Sequence, residues 1–194
     1  MKALRRWQLY QHITGSRSII RRYFVVNGFD GALTMLGIVM GFYVSGADNL
    51  EVISSTCLGA AVALCMSGIS SAYISEAAER ERELKSLEEA MVTDLHGSAH
   101  GRAARLVPFW VALVNGLSPL IICLVIMLPL WLAAAMDGFP MDPLLAAIIA
   151  ALVVIFLLGV FLGRITAGFW LWAGIRTLLL ALLTCGIILL FSTL

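Results

Sequence analysis

The chain has 194 residues, of which 61% are hydrophobic and only 13% charged, with a formal net charge of +1. That is far too little polar surface to coat a water-soluble globule, and a chain of this length makes one domain, so an integral membrane protein is expected. The near-neutral charge gives no argument for a nucleic-acid partner.

In chain order, residues 1–22 come first, with Lys2, Arg5, Arg6, Arg17, Arg21 and Arg22 and no acid. Leu4, Trp7 and Tyr10 fall on one side of a short helix and Lys2, Arg5 and Arg6 on the other, although Leu9 joins the basic side. The pattern suits an amphipathic segment on an anionic cytoplasmic leaflet, ended by Gly15, or a basic tail that only sets topology. The following apolar run is of full spanning length and lacks a small-residue cleavage site, so the segment reads as mature protein rather than a signal peptide.

Apolar runs long enough to cross a bilayer, about 20 residues each, occur at 24–46, 52–75, 106–135, 143–163 and 167–193. The expected architecture is all-α with five transmembrane helices: helices 1 and 2 within 23–75, a short Glu-rich cytoplasmic helix and loop over 76–105, and helices 3 to 5 within 106–194. The third run holds Pro108, Pro119 and Pro129 and is expected to be kinked, tilted or partly outside the hydrocarbon. Arg80, Arg82, Lys85, Arg102, Arg105 and Arg164 join the basic N-terminal residues on one side of the membrane, whereas the other side holds only Asp48, Glu51, Asp137 and Asp142. The positive-inside rule then makes the N-terminus cytoplasmic and turns the C-terminus outside.

Asp30 interrupts the first span. It lies six residues beyond Phe24, about 9 Å into the hydrocarbon at 1.5 Å per residue. A charge near the bilayer centre costs on the order of 3 kcal/mol, so such residues face a protein interior or a watery cavity and mark ion or proton paths. At about 100° per residue, Asn27, Asp30, Thr34, Gly37, Gly41 and Ser45 share one narrow stripe of polar or small residues. Gly37 and Gly41 form a G-x-x-x-G step, which predicts a tight seam with another helix, Ser45 continuing it. The alternative is a structural aspartate, hydrogen-bonded to a neighbouring helix or protonated.

The second span offers two adjacent stripes, Gly59, Ala63, Met66, Ser70 and Tyr73, and Ser67, Ser71 and Ser75. One of them is expected to meet the first helix. A thioether from Met66, Met35 or Met40 beside a carboxylate suits a first-row divalent ion better than calcium or magnesium, although methionine also serves as a gap filler. The single cysteines Cys57, Cys65, Cys123 and Cys185 read as small core residues.

The helix then runs out of the membrane through "SEAAERERELKSLEEAMVTDLHGSAHGR". Ala77, Leu84, Leu87, Met91 and Leu95 can share an apolar face, Glu76, Glu79 and Glu83 another, and Glu76 with Arg80 and Glu81 with Lys85 have ion-pair spacing. The glutamates can concentrate a divalent cation at a pore mouth, or simply solvate the helix. The glycines of "HGSAHGR" are expected to end it, and His96 and His100 have i, i+4 spacing that could chelate a metal were the helix regular there.

The chain resembles the vacuolar iron transporter family in its five-span order, "DGALTMLGIVMGFYVSGA" in the first helix, a second helix ending "AYISEAAERERE", and the tail "LLGVFLGRITAGFWLWAGIRTLLLALLTCGIILL". The resemblance runs from about Asn27 over nearly the whole remaining chain. It implies a homodimer in the lipid bilayer with its path near the dimer axis, between the first two helices of each subunit. It also implies exchange of a divalent metal, Fe2+ or Mn2+, against protons, with no permanently bound cofactor. Asp30 matches the family's pore aspartate and Glu79 a family glutamate, whereas Gly68 and Ala60 stand where a methionine and often a glutamate are expected.

The expectation is thus an exporter in the plasma (inner) membrane of a prokaryote. Asp30, Asn27, Thr34, Met66 and Ser70 would line the path, with Asp30, Met66, Glu76, Glu79 and Glu83 as metal ligands. The alternative from another class is a non-transporting scaffold or partner subunit in which Asp30 is structural. No nucleophile and base constellation or zinc motif points to an enzyme.

Overall fold

The computed structural model describes residues 16–136, 138–165 and 169–192, with side-chain surroundings from 21 onward. It contains five helices, α1 (Ser16–Ser45), α2 (Leu50–Met91), α3 (Ala99–Ala135), α4 (Pro143–Ile165) and α5 (Trp170–Ser192). Each is long and apolar enough to cross a membrane, and no strand occurs among the described residues. This is the architecture of a multi-pass helical membrane protein, in which each backbone N–H and C=O finds its partner within its own segment.

The helix ends differ from expectation in ways the local chemistry explains. Because α1 begins at Ser16, residues 16–22 are helical and continuous with the first span. The rest of the proposed amphipathic segment, residues 1–15, and Asp137 lie outside the described residues. Helix α2 stops at Met91, before the glycines expected to end it, where Val92 turns into the left-handed region at φ 51° and donates its N–H to Glu88 O. Ser98, inside "HGSAHGR", instead starts α3 by accepting from the N–H groups of His100 and Gly101 at 3.1 and 3.3 Å. Asn49 and Asp142 open α2 and α4 in the same way. Gly101 is required by this reversal, since a Cβ there would lie 2.5 Å from His96 O. The segment 99–105 is therefore the beginning of α3 rather than loop, and α3 runs on as one helix through Pro108, Pro119 and Pro129.

Helix α3 is the hub. It carries most of the packing of α2 and much of that of α1, which also rests on α4, while α4 pairs with α5 and direct contact between α1 and α2 is slight. The core joins Met35, Leu36 and Val39 of α1 to Ile53, Cys57 and Ala61 of α2 and to Cys123, Ile126, Met127 and Leu130 of α3. Cys57, Cys65 and Cys123 are buried as small core residues, and Cys185 is partly so. Backbones meet closely at a few glycines. A Cβ on Gly31 would lie 2.8 Å from Pro119 Cα, and one on Gly116 would strike Cys65 O and Ile69.

Gly31→Ala and Gly116→Ala should therefore each cost about 1 to 3 kcal/mol through overpacking, read as lower thermal unfolding temperatures in detergent. Gly186→Ala, where nothing lies within 4 Å of the added carbon, should not destabilise the protein and should raise its stability by up to about 1 kcal/mol, since alanine is the better helix former.

Candidate functional site

The stripe on α1 faces out of the helix bundle. Asp30, Gly41 and Ser45 are exposed, and Asn27, Thr34 and Gly37 are half-buried at its edge. A Cβ on Gly37 or Gly41 would meet nothing within 4 Å, so among the described residues no helix of the chain forms the expected seam with these glycines. The inward face of α1 is a different stripe, Gly28, Gly31, Ala32, Met35 and Val39, which is buried. No hydrogen bond or ion pair engages the Asp30 carboxylate among the described residues.

Helix α2 behaves likewise. Gly59, Ala63, Met66, Ser70 and Tyr73 are all exposed, as are Ser67, Ser71 and Ser75, so neither predicted stripe is buried against α1 of the same chain. The buried face is Ile53, Cys57, Ala61, Cys65, Ala72 and Glu76. Of the three candidate methionines, Met35 and Met40 fill the core, and only Met66, 57% exposed, is available as a ligand. The Ser70 hydroxyl donates back to Met66 O at 2.8 Å. Gly68 points into the bundle, where an added Cβ would come within 3.1 Å of Asn115 O and of Gly116 Cα. A methionine there would not fit.

Two residues that sequence reasoning passed over tie the helices together behind Asp30. Buried Asn115 donates from Nδ2 to Gly68 O at 2.7 Å, and its Oδ1 accepts from Asn27 Nδ2, which also donates to Tyr23 O at 2.8 Å. Ser118, also buried, donates to Phe24 O at 2.5 Å. Their signal in the sequence is a pair of polar residues within one turn of an apolar run, flanking Gly116 and followed by Pro119. Arg176, six residues into α5, was likewise overlooked. Its guanidinium lies 5.5 Å from the Trp172 ring, and Arg164 lies 5.3 Å from that of Trp170, pairings that let a basic group sit near a membrane surface.

Beyond the apolar stretch of α2, the glutamates do not form one free face. Glu76, buried, is held by Arg80 at 2.6 Å, and Glu83 is held by the same guanidinium at 2.8 Å. Only Glu79 of the three is exposed without an ion pair among the described residues. Glu81 and Lys85 pair as their spacing predicts, at 3.2 Å. Leu84 is buried, but Leu87 and Met91 of the expected apolar face are exposed. His96 and His100 are not an i, i+4 pair on one helix, because Ser98 caps α3 between them. His96 lines a cavity of about 300 Å³ with Tyr73, Leu84 and Arg105, and its Nδ1 lies 3.8 Å from Glu88 Oε1. His100 lines a separate one of about 160 Å³ with Arg80 and Glu83. Glu88, Asp94 and His96 come within metal-chelating distance of one another, although Glu88 and Asp94 also accept the main-chain N–H groups of Leu95 and His96.

Among the described residues, fold and site define a membrane protein with five helices long and apolar enough to cross a bilayer and a carboxylate without an ion pair or hydrogen bond on the outer face of α1. No protein-family model matches the chain. An uncharacterized protein of Methanocaldococcus jannaschii, MJ0645, is 30% identical over 148 residues, which cover 75% of this chain and 74% of the relative. The chain belongs to the same family as that protein.

Because Glu76 and Arg80 are each about one-tenth exposed, Arg80→Ala should leave a buried charge unpaired and cost about 3 kcal/mol. Glu79→Ala should change stability by less than about 0.5 kcal/mol. Urea or thermal unfolding of the purified protein checks both.

Proposed function

We propose that two copies of this chain associate through the outer faces of α1 and α2 and export a first-row divalent cation, Fe2+ or Mn2+, against protons, in the manner of the vacuolar iron transporters that the sequence resembles. The observation that carries this reading is Asp30, an unpaired carboxylate on the exposed face of a helix apolar enough to span a membrane. Exposed to lipid it would cost on the order of 3 kcal/mol. A second copy covers it, and Gly37 and Gly41, free of neighbours within the subunit, let the two α1 helices approach closely.

The charge arithmetic supports the same reading. Two copies bring two Asp30 carboxylates, whose charge of −2 is balanced equally well by one divalent cation or by two protons. A carboxylate that binds one or the other is an exchange element. Met66 on the outer face of α2 adds a thioether, favouring a borderline metal over calcium. Asn27, Thr34 and Ser70 would line the route. Glu79 would serve at the cytoplasmic mouth, where Glu76 and Glu83 could bind metal only by leaving Arg80. The orientation follows the basic residues, since Arg21, Arg80, Arg102, Arg164 and Arg176 all sit towards one end of the helices, which the positive-inside rule makes cytoplasmic. The corresponding location is the plasma membrane of a prokaryote.

In proteoliposomes the wild type should carry Mn2+ down its gradient with opposite proton movement, and Asp30→Asn should reduce flux to the level of empty vesicles while the protein stays dimeric. Gly41→Cys should cross-link to itself under mild oxidation. Normal transport by Asp30→Asn would refute the site, whereas a wild type that moves no divalent ion would favour a scaffold in which Asp30 is structural.

A further inference from the structure

Asn27 precedes Asp30 by one turn, and its amide is held from behind. Main-chain carbonyl oxygens only accept, so Tyr23 O fixes the nitrogen end of the Asn27 amide and Gly68 O fixes that of Asn115. Asn115 must then turn its oxygen towards Asn27, whose Nδ2–H donates a hydrogen bond to it. With both Nδ2 protons committed, Asn27 Oδ1 is directed away from Asn115 and Tyr23. No hydrogen bond reaches that oxygen among the described residues. No buried side-chain nitrogen or oxygen is left unpaired among them either, so Oδ1 of half-buried Asn27 lies at the subunit surface. Residues three apart on a helix have Cβ atoms about 5 to 6 Å from each other, so Asn27 and Asp30 occupy neighbouring positions on the same outward strip of α1.

We infer that Asn27 Oδ1 is a second oxygen ligand beside Asp30 for the transported divalent cation, and that Asn115 is the positioning residue that keeps it turned outward. This rests on the reading of Asp30 as the cation site. An amide oxygen is neutral, so it adds a ligand without a second charge, and Asp30 alone retains the exchange between metal and proton. The donor comes from α1, while α2 has no room for one at Gly68.

Mn2+ binding to the purified full chain, read as free Mn2+ by electron paramagnetic resonance alongside thermal unfolding, tests the inference. Asn27→Leu should weaken binding about tenfold or more, and Asn115→Leu, which leaves Asn27 in the chain, about tenfold, as loss of a ligand-orienting partner does. Asn27→Asp keeps an outward oxygen but cannot donate to Tyr23 O or Asn115, and should bind at least as tightly as wild type. It decides the matter if Asn27→Leu fails to fold. Binding by Asn27→Leu within twofold of wild type, or a loss in Asn27→Asp as large as in Asn27→Leu, would overturn the inference while Asp30→Asn still loses binding. Wild-type affinity in Asp30→Asn would instead overturn the Asp30 site, and this inference with it.

Discussion

A polar side chain between helices in a low-dielectric interior must find its full set of partners, and at one level of this bundle that requirement fixes three helices at once. Asn115 of α3 reaches Gly68 O on α2 and the Asn27 amide on α1, and one turn away Ser118 reaches Phe24 O. Pro119 has no N–H to give to the carbonyl of Asn115, and it presses against Gly31. Around these hydrogen bonds the backbones come into contact at Gly68 and Gly116, so neither α1 nor α2 can turn about its axis without a clash. A slip of one residue rotates a helix by about 100°, enough to exchange the buried and exposed faces of α1.

The outward direction of Asp30 and Met66 is a consequence of that lock. Helices α1 and α2 present their polar and small-residue stripes away from α3 because α3 has claimed the opposite faces. A lone carboxylate in lipid costs on the order of 3 kcal/mol, a large share of the 5 to 15 kcal/mol by which a domain is usually stable. The region around Glu76 follows the opposite logic. There the acids are neutralised locally by Arg80, which ties the emerging part of α2 into a charge-balanced unit rather than leaving it open for ligands.

The five spans were legible because a bilayer imposes a length and a composition that few soluble helices share. The stripe holding Asp30 was legible too, since 100° per residue tells which residues share a face. What that periodicity does not give is the direction of the face. In a water-soluble protein the apolar side turns inward, but in lipid both sides of α1 are apolar enough, and the step of Gly37 and Gly41 does not tell whether its seam lies within the chain, where Gly28 and Gly31 are the ones in contact. Asn115 was missed because one amide between two prolines barely lowers the hydropathy of the run. The end of α2 was misjudged because Gly97 and Gly101 look like terminators. Ser98 between them is a start signal, and Val92 does the terminating from a conformation a β-branched residue seldom adopts.

Helix α2 is continuous from Leu50 to Met91. From its contact with Asn115 at Gly68 to its tip it extends about 35 Å at 1.5 Å per residue, without a glycine or proline to bend it. Such a rod converts angle into distance. A tilt of about 5° at the fulcrum carries Met91 roughly 3 Å sideways over that length and Leu50, about 27 Å on the other side, roughly 2 Å the opposite way, while Met66 beside the fulcrum stays almost still. The packing of Ile53, Cys57 and Ala61 in the core holds the embedded half against such a tilt, so the exposed tip at Leu87 and Met91 is the end of α2 with the longer free arm.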